Sequence, residues 1–397
     1  MSYSHLTNFV RFASNPDNRY NRRRRLVDSP LFLIGKRVVL LLILLYVGMP
    51  MAEAQKQPLA RRGVLDLRGV DLTQQYVELG GEWKWYWHQL RLPSQPESAG
   101  EYITLPRLWA NSTWQQKALP GQGFATYSLT VLLPARSVPL DLEVPDCNTA
   151  YRLFINGKEA AHNGNPTTSP ETTEPHWSTQ LVSLPATGDT VTLLLQLANF
   201  QHAKGGVTKS IVLGESEKLD SKIAVEQAMS VFLTGFVLMS GLFFLGLFAF
   251  SFMDRPMLYY GLFCLVYSYR LIGTDHYALH TLFPHIPWGI SVRLEYISLY
   301  LAIALFTIYS HSLYPKDTHP RLIKAMIWVC FALAATVVVL PPLQFSRLMD
   351  PFLGLMVTYI GYALYVYWKA FRKRRPGARF SLMSTCLLLT VFSLILS

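Results

Sequence analysis

Three tryptophans in the segment GGEWKWYW are the first residues that could take part in recognition. Trp83, Trp85 and Trp87 alternate along the chain, and alternate side chains of a β-strand lie on the same face of the sheet. Such rings could stack on the apolar C–H face of a sugar, or they could fill a core, where aromatic residues bury large areas. We favour core packing for these three residues.

Better candidates for ligand contact lie in turn-rich stretches, because binding residues concentrate in the loops of a β-domain. They are Trp109, Trp114, His176 and Trp177. Glu171 and Glu174 lie nearby, in the loop TTSPETTEP, but hydrolysis of a glycoside requires two carboxylates held across a cleft. We interpret these two glutamates as loop charges and expect no catalytic residue in this chain.

Ionisable residues within apolar segments form a second group of candidates. Arg270, Arg293 and Glu295 lie near the outer ends of predicted membrane helices, and Asp275 follows the first of these helices. A charge inside a membrane is costly, which makes each of them a functional candidate, although long side chains near helix ends can reach water. The hypothesis is that Arg270 or Arg293 meets Glu295 or Asp275 and couples the two parts of the chain. A purely structural charge pair is the alternative.

Metal and cofactor chemistry is not expected. Asp275, His276, His280 and His285 have a near-helical spacing that could bind a transition metal. The prolines of LFPHIP interrupt the helix before His285, and no cysteine joins the group, so we interpret these residues as interfacial. The sequence contains no nucleotide-binding loop or nucleophile motif, and no cofactor is predicted.

The composition indicates a membrane protein. Of 397 residues, 51% are hydrophobic and 15% are charged, against about 25% charged in an average soluble chain. The net charge is +11, but residues 1–37 carry +6, residues 55–226 carry −2, and residues 369–379 hold six basic residues and no acid. Basic clusters beside apolar segments are typical of membrane topology and not of a nucleic-acid groove. Four cysteines rule out a disulfide scaffold.

The amino-terminal segment 1–54 has the features of an export signal. A basic region precedes fifteen uncharged residues, 38–52, and Ala52-Glu53-Ala54 matches a signal peptidase site. As a helix, fifteen residues rise about 22 Å, which is short of a hydrocarbon core of about 30 Å. A cleaved signal peptide is therefore favoured over an uncleaved signal anchor, and in both cases the following residues are exported.

Residues 55–226 alternate between apolar and polar positions in short runs, which is typical of half-buried strands. Turn signals separate the runs, and Asn156-Gly157 is the strongest hairpin signal because these residues accept positive φ. Eight to ten strands of this kind predict an all-β sandwich or jelly roll.

Residues 227–397 contain uncharged runs that predict a multi-span membrane bundle. Six helices are expected, at about 228–252, 256–274, 290–313, 324–341, 351–369 and 380–397. The loops assigned to the cytoplasm hold ten basic residues and the outer loops hold only Arg347, which is a strong positive-inside bias. The last span ends the sequence without a polar flank, so we expect a truncated product that lacks a seventh helix and an output domain.

Several segments resemble one receptor family. They are GGEWKWYW (80–87), LPRLWANSTW (105–114), GQGFATYSLTVLLP (121–134), AYRLFINGKEAAHNGNP (150–166), LQLANFQHAKGGVTKSIVLG (195–214) and YGLFCLVYSYRLIGTDHYALHTLFP (260–284). Over residues 60–397 the chain resembles the bacterial seven-transmembrane receptors with diverse intracellular signalling modules, which carry a galactose-binding-like jelly roll.

The resemblance implies an external ligand-sensing domain, a seven-helix module and a cytoplasmic output such as a diguanylate cyclase, a nucleotide cyclase, a histidine kinase or a phosphatase. Asn199 and His202, in ANFQHAKGG, match a stretch that the family places near a strand end. Gly205-Gly206 could let a ligand approach the backbone, or could form a tight turn. Because the output domain is missing, the resemblance brings no enzymatic activity to this chain.

The sequence therefore predicts the sensor portion of a bacterial inner-membrane receptor with residues 55–226 in the periplasm. Its partners would be the lipid bilayer and a small ligand, with a saccharide as the first hypothesis; no nucleic acid is expected, and a homodimer stays open. One alternative is a transporter or transporter-associated binding protein, for which Gly235, Gly241 and Gly246 are few interruptions. The other is a membrane-tethered carbohydrate-active protein.

Overall fold

The structure is a computed structural model. It describes residues 57–96, 100–114, 116–135, 138–147, 149–185, 188–250, 254–274, 279, 283 and 285–386. The predicted signal segment 1–54, Asp275 and the distal part of the predicted span 380–397 lie outside these residues. Residues 58–397 belong to one compact unit, so that the β-domain and the helices can be described together.

The β-domain is a sandwich of two sheets. The larger sheet has the order β11-β10-β13-β8-β3-β4 with β1 parallel to β8, and the smaller has the order β12-β9-β15-β2. Two ribbons, β14-β5 and β6-β7, complete it. The strands are β1 Val64–Asp66, β2 Val77–Glu78, β3 Gly81–Trp87, β4 Glu101–Leu105, β5 Arg107–Leu108, β6 Thr113–Trp114, β7 Lys117–Ala118, β8 Gly123–Leu132, β9 Leu140–Val144, β10 Ala150–Ile155, β11 Lys158–Asn163, β12 Gln180–Ser183, β13 Thr190–Asn199, β14 Gly206–Val207 and β15 Val212–Glu215. We call residues 60–215 the head.

The alternation predicted for these strands builds the core of the head. Tyr127 on β8 lies opposite Leu195 on β13, and both side chains are buried. They share one apolar cluster with Leu142 and Leu213, which belong to the smaller sheet. The two sheets therefore pack face to face, and the predicted sandwich is confirmed.

The predicted hairpin turn lies between β10 and β11. Asn156 has φ +50° and Gly157 has φ +82°, the left-handed values that a two-residue turn of this kind requires. Ile155 and Lys158 form the adjacent strand pair. The turn therefore sets the register of the hairpin.

The three alternating tryptophans of β3 belong to the core. Trp83, Trp85 and Trp87 are all buried, and Trp83 Nε1 donates to the carbonyl oxygen of Leu79 at 2.8 Å. Their rings are therefore unavailable for stacking on a sugar in this structure, as the core interpretation requires.

The rest of the chain is helical. The helices are α1 Ser216–Phe250, α2 Arg255–Gly273, α3 Trp288–Leu313, α4 Pro320–Val339, α5 Pro342–Ser346 and α6 Met349–Arg372, and residues 378–386 are also helical. Among the described residues, α1, α3, α4 and α6 are long and apolar enough to cross a membrane. The 19-residue α2 packs against both α1 and α3.

The first helix begins ten residues before the predicted domain boundary at 226. Because β15 ends at Glu215 and α1 begins at Ser216, strand and helix are directly continuous. The polar first turns of α1 lie against the head: Tyr76 Oη donates to Lys218 O at 3.0 Å, and Lys222 Nζ lies 2.7 Å from Glu143 Oε2. The sequence-based boundary marked the end of charge, which is not where the helix starts.

The end of the bundle away from the head is held by one carboxylate. Asp317, in the loop after α3, has a side chain that is 1% exposed and lies 2.7 Å from Lys373 Nζ and 2.9 Å from Arg375 Nε. The hydrogen bond from Lys373, and to a smaller extent the one from Arg375, lowers the pKa of this carboxyl below its usual value. Burial alone would raise this pKa. The loop after α3 is thereby tied to the loop after α6.

Asp317→Asn is expected to lower the free energy of unfolding by about 1–3 kcal/mol, because two cations lose a charged hydrogen-bond acceptor. Thermal unfolding of the full chain in detergent at neutral pH measures the effect. Asp220→Asn, at an exposed position of α1, is the control and should unfold at the wild-type temperature. Equal melting of the two variants would contradict a role for the Asp317 ion pairs.

Candidate functional site

The loop that follows β13 is shaped by the side chain of Asn199. This residue is fully buried, and its Nδ2 donates to Gly121 O at 2.6 Å and to His202 O at 2.8 Å. Its Oδ1 accepts from the backbone N–H of His202 at 3.1 Å. One side chain therefore folds residues 199–206, which we call the contact loop, and presents its tip to the helices.

The glycines of the contact loop are required by close packing. A Cβ atom at Gly205 would lie 2.3 Å from Gly121 O, 2.6 Å from Trp109 Cε3 and 2.7 Å from Asn199 Nδ2. The backbone N–H of Trp109 also donates to Gly205 O at 2.8 Å. This geometry corresponds to the tight-turn alternative, with the loop backbone lying against Trp109.

Gly205→Ala is expected to destabilise the head by about 1–3 kcal/mol, since the added methyl group meets backbone and ring atoms that cannot easily move. Gly69→Ala is the matched control, because a Cβ atom at Gly69 meets nothing within 4 Å. Thermal unfolding of the two full-length variants provides the comparison. A Gly205→Ala variant as stable as Gly69→Ala would show that the loop relaxes freely.

His202 connects the contact loop to α3. Its Nδ1 lies 3.2 Å from the backbone nitrogen and 3.3 Å from the backbone oxygen of Lys204, and its Nε2 lies 3.1 Å from the Tyr296 hydroxyl oxygen, with which it forms a hydrogen bond. The imidazole is 5% exposed, and this burial lowers its pKa to about 4. Burial therefore keeps this imidazole neutral at pH 7 where the contact loop meets α3.

Three further polar contacts join the head to α5 and α6. The backbone N–H of Ala203 donates to Ser346 Oγ at 2.9 Å, and Lys204 Nζ lies 3.6 Å from Asp350 Oδ1. The third is from Arg347, whose Nη2 donates to Gln122 Oε1 at 3.2 Å. Arg347 is the basic residue that the sequence assigned to an outer loop, so this loop and the head lie on the same side of the bundle.

An aromatic pair forms the apolar part of the junction. Trp177 of the head and Trp288 at the start of α3 meet edge to face with ring centroids 5.7 Å apart. Both are nearly buried, and they belong to the same apolar cluster as Val292 and Tyr296. The core of the helical region therefore includes one tryptophan from the head.

Of the predicted coupling residues, Arg270 and Arg293 contact different parts of the helical bundle. Arg270 Nη1 donates to the backbone carbonyl oxygen of Glu295 at 3.4 Å. This contact joins α2 to α3.

Arg293 points to a different region of the bundle. Its Nη2 donates to Leu340 O at 3.3 Å, and its guanidinium lies 5.7 Å from the ring centroid of Phe345. Of the two arginines, the structure therefore brings only Arg270 to Glu295 among the described residues; Asp275 lies outside them.

The residues predicted to contact a ligand do not converge on one described pocket. Trp109, one of these candidates, is fully buried, and its Nε1 donates to Tyr127 Oη at 2.5 Å. The turn-rich sequence around it folds into a short 3₁₀ helix, Trp109–Asn111, that turns the indole inward. Asn199, His202 and Trp177 build the junction described above.

Trp114 and His176 keep partial exposure. Trp114 Nε1 donates to Glu101 Oε1 at 3.0 Å, and burial lowers the pKa of His176. The loop glutamates Glu171 and Glu174 are exposed. Within the described part of the chain, no group of three His, Cys, Asp or Glu residues could hold a metal ion.

Sequence reasoning missed the helix-side partners of the junction. Tyr296, Ser346 and Asp350 carry no motif, and each is distant in sequence from its partner in the head. Of these partners, only Trp288 could have been identified as a candidate contact residue from the sequence, because it lies at a predicted membrane interface, where tryptophan is enriched.

A strand-built head that continues directly into a bundle of apolar helices defines a multi-pass membrane protein with a domain outside the membrane. Residues 226–397 match the model of the family described as 7TM diverse intracellular signalling. The match covers the helical part of the chain, and it confirms the predicted resemblance to this receptor family over these residues.

Part of the chain is similar to solved structures that include three bacterial β-glucuronidases. That of Faecalibacterium prausnitzii is 16% identical and covers 35% of this chain and 31% of its own, with a TM-score of 0.29. That of an uncultured Clostridium is 14% identical over 35% of this chain and 28% of its own, with a TM-score of 0.29, and that of Ruminococcus gnavus is 15% identical over 35% and 28%, with a TM-score of 0.28. The chain thus spans less than a third of each enzyme. No curated protein sequence matches it.

Proposed function

We propose that this chain is the sensor portion of a bacterial inner-membrane signal-transduction receptor, with the head in the periplasm. The observation that carries the proposal is the junction, in which His202, Trp177 and Lys204 of the head each contact a helix of the bundle. A binding domain that was merely tethered to the membrane would need no such set of contacts.

The head is proposed to bind a small ligand, with carbohydrates as the first class to test. Of the predicted contact residues, Trp114 and His176 retain exposed surface and are the ones we assign to ligand contact. Because a ligand shifts an equilibrium only by its differential affinity for two states, binding must favour one arrangement of the junction over another.

The coupling route is proposed to run through the junction into the helices. A change in the contact loop would alter the His202–Tyr296 hydrogen bond and the Lys204–Asp350 ion pair together, because His202 and Lys204 belong to the same loop. In a complete receptor the helices would pass this change to a cytoplasmic output domain, for which a cyclase or a histidine kinase is the proposed class. The chain itself is proposed to be non-catalytic.

Hydrogen–deuterium exchange of the full chain in lipid nanodiscs tests this function. The probes are monosaccharides, uronic acids and disaccharides, added one class at a time. One class is expected to slow exchange in the head and, in the same sample, to change exchange in the contact loop and in residues 342–350. In Trp288→Ala, the protection of the head should remain while the change in residues 342–350 is lost.

Two results would count against the proposal. Protection of the head without any change at the junction would contradict coupling to the helices. Failure of every saccharide class to protect the head would overturn the carbohydrate assignment and leave the receptor class to be tested with other small molecules.

A further inference from the structure

A groove runs between α1 and α2 at their head-proximal ends. It encloses about 460 Å³, and its apolar lining includes Val225, Met229, Leu233 and Tyr267. Its polar lining residues are Glu226, Ser230, Arg270 and Thr274. Of the apolar lining, Val225, Met229, Leu233 and Tyr267 are the exposed side chains, so the groove opens toward the space that lipid fills around a membrane helix. Its floor is closed by a hydrogen bond from Ser230 Oγ to Leu271 O at 2.9 Å.

A polar cleft lies directly above this groove, between the head and the first turns of α1. It encloses about 390 Å³, and its charged lining residues are Glu78, Glu143, Lys209, Lys222 and Glu226. Lys222 Nζ lies 2.7 Å from Glu143 Oε2 and 3.7 Å from Glu226 Oε1, so positive and negative groups are interleaved. A buried hydroxyl oxygen, Ser210 Oγ, lines the same cleft without a hydrogen-bond partner.

The groove and the cleft meet at Glu226, which lines both. Glu226 is also the last charged residue of α1, because residues 227–250 are uncharged. This position therefore marks where α1 passes from the polar interface into hydrocarbon. The groove lies along the start of the uncharged part of α1 and the cleft along its charged first turns, so the two together match the polarity profile of an amphiphile.

The charges that line this combined site determine which lipid headgroups can bind. Together with Arg270 of the groove, two ammonium groups and three carboxylates line the combined site, so a headgroup with both a phosphate and a primary ammonium would find an opposite charge for each. A headgroup with only negative charge would meet as many carboxylates as cationic groups. We propose that this combined site binds one membrane phospholipid with a zwitterionic, ethanolamine-type headgroup. The inference is independent of the ligand proposed for the head.

Native mass spectrometry of the delipidated full chain in detergent tests the site. The protein is titrated with phosphatidylethanolamine or phosphatidylglycerol of the same acyl chains. Met229→Trp fills the groove, and Met239→Trp is the matched control, since Met239 is an exposed residue of the same helix that does not line the groove. Circular dichroism before the titration verifies that both variants are helical.

The wild-type chain and Met239→Trp are expected to form a one-to-one adduct with phosphatidylethanolamine, and Met229→Trp to need about tenfold more lipid for the same occupancy. Equal uptake by the two variants would overturn the site. A phosphatidylglycerol adduct that is as strong and equally sensitive to Met229→Trp would overturn the zwitterionic assignment.

Discussion

Trp288→Ala is expected to lower the free energy of unfolding of the full chain by about 3–5 kcal/mol, which is the usual effect of removing a buried tryptophan. The side chain is 7% exposed and packs against Trp177, so its loss leaves a cavity between the head and α3. Unfolding by heat or denaturant in detergent measures the loss. Trp328→Ala is the matched control, because Trp328 is 72% exposed on α4 and its removal leaves no cavity.

A double-mutant cycle separates the interaction energy of Trp177 with Trp288 from the packing energy of each tryptophan with its other neighbours. The single variants Trp177→Ala and Trp288→Ala and the double variant should give a coupling energy of about 0.5–1.5 kcal/mol, the range found for edge-to-face aromatic pairs. Strict additivity would show that each tryptophan packs independently and that the pair does not hold the junction.

Acidification from pH 7 to pH 4 is expected to weaken the junction by about 3 kcal/mol through His202 alone. Burial lowers the pKa of this imidazole to about 4 from an ordinary value of 6.5. Between these values the opened state binds a proton and the closed state does not, so the closed state loses stability as the pH falls. Above pH 6.5 both states are neutral and the stability contributed by this residue is constant.

His202→Gln is expected to flatten the pH dependence, because glutamine does not titrate. His162→Gln removes an exposed histidine of the head and should retain the wild-type pH profile. The measurement is the midpoint of unfolding of the full chain between pH 4 and pH 7 for the three proteins. If His202→Gln and wild type show the same profile, the imidazole is not protonated on opening and the assignment is wrong.

The sequence was sufficient to predict local structure where one pattern, such as the alternation of a strand, dominates a segment. Tyr127 and Leu129 on β8 are buried because alternation forces them to one face, and Asn156-Gly157 forms its turn because these two residues tolerate positive φ. A helix is observed over Trp288–Leu313, where the sequence predicted one at about 290–313, and it is long and apolar enough to cross a membrane.

The junction could not be predicted in the same way. His202 and Tyr296 are 94 residues apart in sequence, and neither belongs to a periodic pattern that would indicate the contact. The place of the Trp109 ring is also not evident from its turn-rich neighbours, because a short helix turns this ring into the core. Contacts between separately folded elements depend on how their surfaces meet, and local composition carries little information about this.

The direct continuation of β15 into α1 has a mechanical consequence. A single helix of 35 residues is a rod of about 52 Å, and it carries no hinge where it leaves the head. If the head tilts by about 5°, the far end of α1 moves sideways by about 4–5 Å. This displacement is close to the rise of one helical turn, which is the size of the shifts by which packed helices change their contacts. A rotation of the smaller sheet is therefore transmitted along α1 to its far end, because no flexible linker separates β15 from α1.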